Sequence, residues 1–194
     1  MSNYPVAYTQ APPVKRNRLS VLFRVLLVIP HYIWGLFYAI ASLVVVVIAW
    51  FAILFTGRWP AGMYEFTAGF QRFAGRLTAY TYVIVDAYPP FDGGEHPEYP
   101  VRIIIPPPKP EYSRLKTFFR LILAIPIYIV QYFFTLWLFV VAVALWFCGV
   151  FAGSTSPGLT EAMRMPMAYY VRANAYFYLI TEDWPPFEPG TVTE

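Results

Sequence analysis

The chain has 194 residues, room for one ordinary domain or two small ones, with 58% apolar and only 13% charged residues. A soluble protein this poor in charge could not cover its surface with polar groups, so the composition favours a protein embedded in a bilayer. The formal charge of +3 is too small to suggest a nucleic-acid binder. The single cysteine, Cys148, excludes an intramolecular disulfide and a thiol-rich metal site.

Two long apolar segments dominate the chain. The N-terminal residues are polar and show no cleavable signal peptide, and an uncharged stretch then runs from 25 to 57, with a second apolar run from 121 to 160. As a helix, the 33 residues of the first stretch would extend about 50 Å, whereas a hydrocarbon core is about 30 Å thick. We therefore predict an interfacial lead-in before Pro30 and Pro126, followed by transmembrane helices over about 31–55 and 127–151.

A less hydrophobic helix is predicted after each apolar run, over 62–85 and 158–181. In the first, Glu65, Arg72 and Arg76 fall on one stripe at helical spacing and apolar residues cover the opposite side, which is typical of an amphipathic helix. Such a helix is long enough to span a membrane, but it could also lie in the interface. The sequence leaves this choice open.

These elements belong to an internal repeat. Residues 18–91 align with 114–187 at a constant offset of 96 without a gap, and 27 of the 74 positions are identical. Such self-similarity means that one supersecondary unit is used twice. The segments outside the repeats are the N-terminal residues 1–17, the connector 92–113 and the tail 188–194, and we expect the tail to be loose.

The connecting segments have their own patterns. "YPVAYTQ" and "YPVRIII", which begin at residues 4 and 99, are β-prone and are expected to pair as a small sheet. "TGRWPAG" (56–62) and "AGSTSPG" (152–158) are rich in glycine and proline, as tight turns should be. The predicted fold is an all-α integral membrane protein of two homologous helical hairpins, each a long transmembrane helix plus an amphipathic helix, with short β-prone connectors.

Two topologies are open. If only 31–55 and 127–151 cross, the connector lies opposite both termini and the two units are inverted. If each unit is a hairpin, both termini and the connector share one side, and that side carries seven basic residues against Arg58 at the turns. The positive-inside rule then favours the hairpin with the basic side cytoplasmic. We expect a bacterial inner-membrane, multi-pass protein with cytoplasmic termini and a pseudo-two-fold axis along the membrane normal.

The motifs "IPH", "FTGR" and "AY…YPPF" of the first unit resemble a bacterial membrane-domain family of unknown function, common in actinobacteria and often found as a tandem pair. The resemblance covers nearly the whole chain. The second unit departs from the pattern, since Ile127 replaces the histidine and "AGSTSPG" replaces "TGRWPAG". The resemblance implies an integral membrane protein and implies no activity.

The candidate functional residues are mainly charges shared by the two units. The arginines at the expected cytoplasmic leaflet are Arg24, Arg76, Arg120 and Arg172. Charges in membrane segments are costly, so these side chains are expected to be paired, to snorkel, or to bind anionic phospholipid. Asp86, a backbone carbonyl or a lipid phosphate are the partners considered for Arg76. A second set, the polar stripe, comprises Glu65, Arg72 and Glu161.

The histidines do not suggest catalysis or metal binding. His31 follows Pro30 and is expected to be an interfacial polar residue, whereas His96 lies in the acidic loop "DGGEHPE", whose spacing is not that of a metal site. We therefore expect no catalytic residue, no metal and no cofactor.

The expected function is that of a non-enzymatic accessory or scaffold subunit that packs against lipids, other membrane subunits or a second copy. The alternative is a small transporter or channel with a path lined by the polar stripe between the repeats.

Overall fold

The computed structural model describes residues 4–12, 17–154 and 156–192. In chain order the helices are α1 (Arg18–Leu22), α2 (Arg24–Leu27), α3 (Ile29–Thr56), α4 (Ala61–Thr81), α5 (Arg114–Phe118), α6 (Arg120–Phe147) and α7 (Pro157–Phe177), and α6 continues as a π-helical turn over Cys148–Ala152. The strands are β1 (Ala7–Gln10), β2 (Val101–Ile104) and β3 (Thr191–Val192). Parts of the segments named above, residues 1–3, 13–16, 155 and 193–194, lie outside the described residues.

Each repeat forms a helical hairpin. Two helical spans, Arg24–Thr56 and Arg120–Ala152, are long and apolar enough to cross a membrane, and the most apolar window of each is only 22% and 28% buried. This exposure distinguishes them from the core helices of a soluble protein. α3 and α6 end at Gly57 and Gly153, whose φ angles of 73° and 68° lie in the left-handed region that glycine adopts without strain. The turns predicted there are confirmed.

The amphipathic helices α4 and α7 end about four residues earlier than predicted. Val83 and Leu179 adopt left-handed φ angles of 60° and 62° just beyond the helices. The amides of Ile84 and Ile180 then donate back to the carbonyls of residues 79 and 175, at 3.0 and 2.9 Å. A helix C-terminus of this kind normally has glycine at the left-handed position. Valine or leucine there does not indicate a helix end, so the sequence does not predict it.

The predicted pairing of the two "YPV" segments is confirmed. β1 pairs with β2 in antiparallel register, with Tyr8 opposite Ile103. When the two "YPV" segments are aligned, Tyr8 and Ile103 are equivalent, and the flanking pairs Ala7–Ile104 and Thr9–Arg102 are equivalent to each other. The prediction of a loose tail is wrong for β3, because Thr191 and Val192 pair in parallel with the other edge of β1. The sheet therefore joins the N-terminal segment, the connector and the C-terminal tail.

The two hairpins pack in opposite directions. Trp50, near the end of α3, donates from Nε1 to the carbonyl oxygen of Thr117 in α5 at 2.8 Å. Its repeat partner Trp146 donates to the carbonyl oxygen of Val21 in α1 at 3.0 Å. Each hairpin therefore places its turn beside the first residues of the other hairpin, as a pseudo-two-fold relation requires.

This packing corrects the predicted arrangement, in which both hairpins open on the same side. Arg114 lies against Gly57 at one turn and Arg18 lies against Gly153 at the other. The charge count that separated a basic side from two nearly uncharged turns is therefore wrong. The cause is that the repeats interlock by tertiary contacts that the alignment of one unit with the other does not show.

The elements form three layers, with α4 and α7 in the middle. Gly75 of α4 lies beneath Ile103 of β2 and close to Val171 of α7, so the sheet covers this pair. On the opposite side of α4, Phe73 packs against Gly35 of α3. α6 packs on α7 in the same way. The sheet and loops form one outer layer, and α3 and α6 form the other.

The opposed packing predicts a specific disulfide. An ideal Cβ at Gly149 lies 3.5 Å from the Cβ of Val21, within the range that disulfides require. In a Cys148→Ser background, we expect Val21→Cys/Gly149→Cys to form an intramolecular disulfide on mild oxidation, detected by peptide mass spectrometry. The matched control, Arg58→Cys/Ser154→Cys, joins the two turns, which lie at opposite ends of the protein. A disulfide in the control pair alone would show that the hairpins run in the same direction.

Candidate functional site

Arg24 is held at the open end of the first hairpin by a cage of partners that engages Nη1 and Nη2 but not Nε. The side chain is 2% exposed, and its Nη1 donates to the carbonyl oxygens of Tyr80 and Val85 at 2.8 and 2.9 Å. Nη2 pairs with the carboxylate of Asp86, and the guanidinium carbon lies 4.3 Å from the centre of the Tyr80 ring. Asp86 also accepts the backbone amide of Asn17 at 2.9 Å. This cage ties α2 to the end of α4.

Arg120 occupies the equivalent position but lacks the equivalent cage. It is 1% exposed and lies 4.1 Å over the Tyr176 ring, yet none of its three guanidinium nitrogens has a hydrogen-bond partner among the described residues. Glu182 replaces Asp86 here and is engaged elsewhere. It accepts the backbone amide of Ser113 at 2.7 Å and lies 3.8 Å from Lys109 Nζ. The two repeats therefore differ in how they hold this buried charge.

Arg76 of α4 and Arg172 of α7 each bind the segment that follows their own hairpin. Arg76 donates to the carbonyl oxygens of Asp92 and Gly94 at 3.1 and 3.0 Å. Arg172 donates to that of Glu188 at 2.7 Å, and Tyr4 lies over its guanidinium group at 5.6 Å. Among the partners considered for Arg76, the backbone carbonyl is the one observed.

The four arginines share a burial that the sequence does not predict. Their side chains are between 1% and 3% exposed, so they neither snorkel nor offer a free guanidinium group to a lipid headgroup. For Arg24, Arg76 and Arg172, peptide carbonyls stand where a lipid phosphate was expected. The geometry therefore favours structural pairing for these positions.

The polar stripe does not come together between the repeats. Arg72 pairs with Glu95 of the acidic loop at 3.2 Å. Glu161 pairs with Arg164 on its own helix, and Glu65 is exposed near the first turn. These side chains therefore do not line one shared path in the structure, because Arg72 and Glu161 each face a local partner and Glu65 is exposed.

The acidic loop "DGGEHPE" folds back along the middle of α4. Gly93 lies so close to Gly69 that a Cβ on Gly93 would approach the helix backbone to 2.5 Å. His96 contacts Asp92 at 2.8 Å through Nε2 and Glu98 at 3.1 Å through Nδ1. A small cavity of about 60 Å³ lies between this loop, Arg72, Arg76 and β2. Within the described ranges, no group of three His, Cys, Asp or Glu side chains is placed to hold a metal ion.

The ion pairs of the loop shift the pKa values of its side chains. The hydrogen bond that His96 donates to the Asp92 carboxylate raises the pKa of His96, and the contact with Glu98 acts in the same direction. The same contact with His96, together with the amide of Gly94, lowers the pKa of Asp92. The nearby Arg76 opposes the protonation of His96.

His31 is an interior residue, so the prediction of an interfacial polar side chain is wrong. It is fully buried, its Nε2 lies 2.7 Å from the carbonyl oxygen of Pro89, and its ring stacks on Phe91 at 3.8 Å. Its repeat partner Ile127 is also buried, at 1% exposure. Both side chains pack where the "PPF" segment returns to the hairpin.

The sequence reading missed the tyrosines and tryptophans that complete these contacts. Tyr80 and Tyr176 form the floors under Arg24 and Arg120, and Tyr4 and Tyr99 donate to the carbonyl oxygens of Asp183 and Ala87 at 3.0 and 2.9 Å. The identity of these residues between the repeats was a signal that could have pointed to them.

The difference between the two cages predicts unequal costs of substitution. Arg24→Met leaves Asp86 and two buried carbonyls without their donor, and we expect it to lower the free energy of unfolding by about 2–4 kcal/mol. Arg120→Met removes a buried charge that has no hydrogen bonds, and we expect a cost of about 1 kcal/mol or less. Denaturant unfolding in mild detergent, followed by tryptophan fluorescence, measures both. Equal costs would show that Arg120 has partners comparable to those of Arg24.

The acidic loop predicts a local dependence on pH. Because folding raises the pKa of His96, its stabilising contribution is full below the ordinary histidine pKa of about 6.5 and is lost as pH rises through the higher folded value. Asp92 acts oppositely and loses its contribution only as pH falls through its lowered pKa. We expect the hydrogen-exchange protection factors of residues 92–98 to fall as the pH rises above the ordinary histidine pKa of about 6.5. His96→Gln should flatten this change, and an unchanged profile in the variant would contradict the assignment.

Residues 18–92 and 114–188 both match one protein family, described as a domain of unknown function, DUF4389. The two matches coincide with the two hairpins and together cover most of the chain. Comparisons with curated proteins and with solved structures give no match to this chain. The matches confirm the tandem pair from a family of unknown function that the motifs indicated. The chain therefore belongs to the DUF4389 family and carries two copies of its domain.

Proposed function

We propose that this protein is a non-enzymatic accessory or scaffold subunit of a bacterial membrane complex, which packs against lipid and partner helices through α3 and α6. The supporting observation is the outer surface of these two helices. Large apolar side chains are exposed from one end of each to the other. On the first hairpin they include Val25, Ile33, Phe37, Val44, Phe51 and Phe55. A surface of this size requires an apolar partner.

The proposed location is the bacterial cytoplasmic membrane, with both termini and the connector on the cytoplasmic side. The three-stranded sheet supports a shared side, because it joins the N-terminal segment, the connector and the C-terminal tail. Arg102 is exposed on this sheet, in keeping with a face in contact with water. Anionic phospholipid, other membrane subunits and a second copy of the chain are the proposed partners of the remaining surface.

A small transporter or channel has less support. Such a path needs polar side chains that face each other between the repeats. Where α4 approaches α7, the space of about 110 Å³ is lined by Gln71 and Asn174 among aromatic and small residues, and the charged side chains of the stripe are absent from it. The buried arginines are occupied by structural contacts, apart from Arg120.

Photo-crosslinking from the outer faces tests the accessory role. A benzophenone side chain is introduced at Phe37, Val44 or Phe51 of α3, or at the repeat-equivalent Phe133, Val140 or Phe147 of α6, all of which are exposed. We expect at least one face to capture the same membrane protein repeatedly. The buried positions Val46 and Ala142 provide matched controls that should capture no partner protein. Native mass spectrometry of the complex in mild detergent should then show a fixed stoichiometry.

Two results would contradict this function. Capture of lipid alone from every outer position, with a monomer in native mass spectrometry, would remove the accessory role. Ion or solute flux through liposomes that contain the purified chain, abolished by Glu65→Gln, would favour a transporter.

A further inference from the structure

The long helices raise a question of orientation that their length alone does not answer. Helices of this length are usually assumed to cross the membrane. In this fold, however, α4 separates α3 from a polar layer along most of the hairpin. The stripe of α4 that contains Gly69 and Arg76 touches the acidic loop, and the side that contains Phe73 touches α3.

The acidic loop lies at the level of the middle of the hairpin. Gly93 rests on Gly69 near the centre of α4, and the carboxylates around it are exposed, with 72% for Glu95 and 76% for Glu98. If α3 stood along the membrane normal, these charges would lie near the centre of the bilayer. Charged side chains at that depth are costly and normally face a protein interior or a water-filled cavity.

The sheet leads to the same conclusion. Its central pair, Tyr8 and Ile103, lies over the middle of α4 and α7, and β2 forms an edge of the sheet. Open sheet edges do not occur against lipid, because water is not there to satisfy their amides and carbonyls. An upright hairpin would place this edge within the hydrocarbon region.

The apolar face also has the wrong shape for a crossing. Exposure of large apolar side chains continues from Leu19 in α1 to Phe55 near the end of α3, without a polar band at either end of α3. The helical span Arg24–Thr56 alone has 33 residues and is about 50 Å long, well beyond the hydrocarbon thickness of about 30 Å. A helix that lies flat has no such limit on its length.

We propose that α3 and α6 lie in the plane of the membrane, embedded in one leaflet, with the sheet and the acidic loop in water. The occupant of the apolar face is the acyl-chain region of that leaflet. This monotopic arrangement rests on the membrane location proposed above and replaces the multi-pass topology. It places the pseudo-two-fold axis along the membrane normal, so both repeats enter the leaflet to the same depth.

The grooves of this face fit acyl chains. One groove of about 320 Å³ lies between α3 and the start of α6, with Val47, Phe51, Leu121 and Phe177 in its walls. A second, beside α6, is lined by Tyr128 and other apolar residues. Both open among the exposed side chains of α3 and α6 rather than towards the sheet. Their walls expose almost entirely apolar atoms, which suits hydrocarbon and not an aqueous solute.

Depth measurements along α3 test the orientation. In a Cys148→Ser background, single spin labels replace the exposed residues Ile33, Phe37, Val44, Phe51 and Phe55 in the full chain, reconstituted in vesicles of phosphatidylcholine and phosphatidylglycerol. Power saturation with oxygen and with a nickel chelate gives the depth of each label. We expect similar depths at both ends and in the middle. Labels at Glu95 and Arg102 serve as water-exposed controls.

The possible outcomes are distinct. A membrane-crossing helix would give a depth of about 15 Å at Val44, which is half the hydrocarbon thickness, and shallow depths at Ile33 and Phe55. That profile would overturn this inference alone. Free access of nickel at every α3 label would overturn the membrane location as well. Labels on α3 that neither reagent reaches would show that protein, and not lipid, covers this face.

Discussion

The structure depends on the mutual interlock of two hairpins that share one sequence pattern. Each hairpin buries the other's first residues beside its turn, through Trp50 with Thr117 and Trp146 with Val21. A single hairpin of this kind would leave uncovered the face of its second helix that points away from its first helix. Because the interlock brings α4 and α7 together under a shared sheet, their small residues and arginines become interior. The outer helices α3 and α6 are then left with apolar surface that the protein cannot cover itself.

Much of this fold could be predicted from the sequence, and the reasons are local. The 3.6-residue periodicity of 62–85, the glycines at 57 and 153 and the β-prone "YPV" segments each report on nearby backbone. The helix ends at Val83 and Leu179 could not be predicted, because these residues adopt a conformation that usually belongs to glycine. The direction of one hairpin relative to the other is also invisible in the alignment, since it depends on contacts between units.

The candidate site likewise combines features that the sequence predicts with contacts that it does not. The repeat identified the four arginines correctly as a matched set, but their expected position near headgroups came from hydropathy alone. In the structure, carbonyl groups at helix ends and loops surround three of them. Burial of a guanidinium group is costly without such partners, and here they come from segments distant in sequence. Asp86 and Glu182 align as equivalent acids, yet only the shorter side chain reaches its arginine.

The pair Tyr8–Ile103 lies on the pseudo-two-fold axis that relates the contacts of one half of the sheet to those of the other. A chain with one copy of the domain could reproduce these contacts only as a homodimer, with identical side chains on both sides of the axis. Covalent fusion removes that requirement for identity. Each half is then free to vary separately while the partner half keeps the fold intact. The acidic loop after the first hairpin and the short third strand after the second are products of this freedom. So is the contrast between Arg24 and Arg120, whose guanidinium group lacks hydrogen-bond partners among the described residues. Fusion of the copies thus converts a symmetric assembly into one with two chemically different ends.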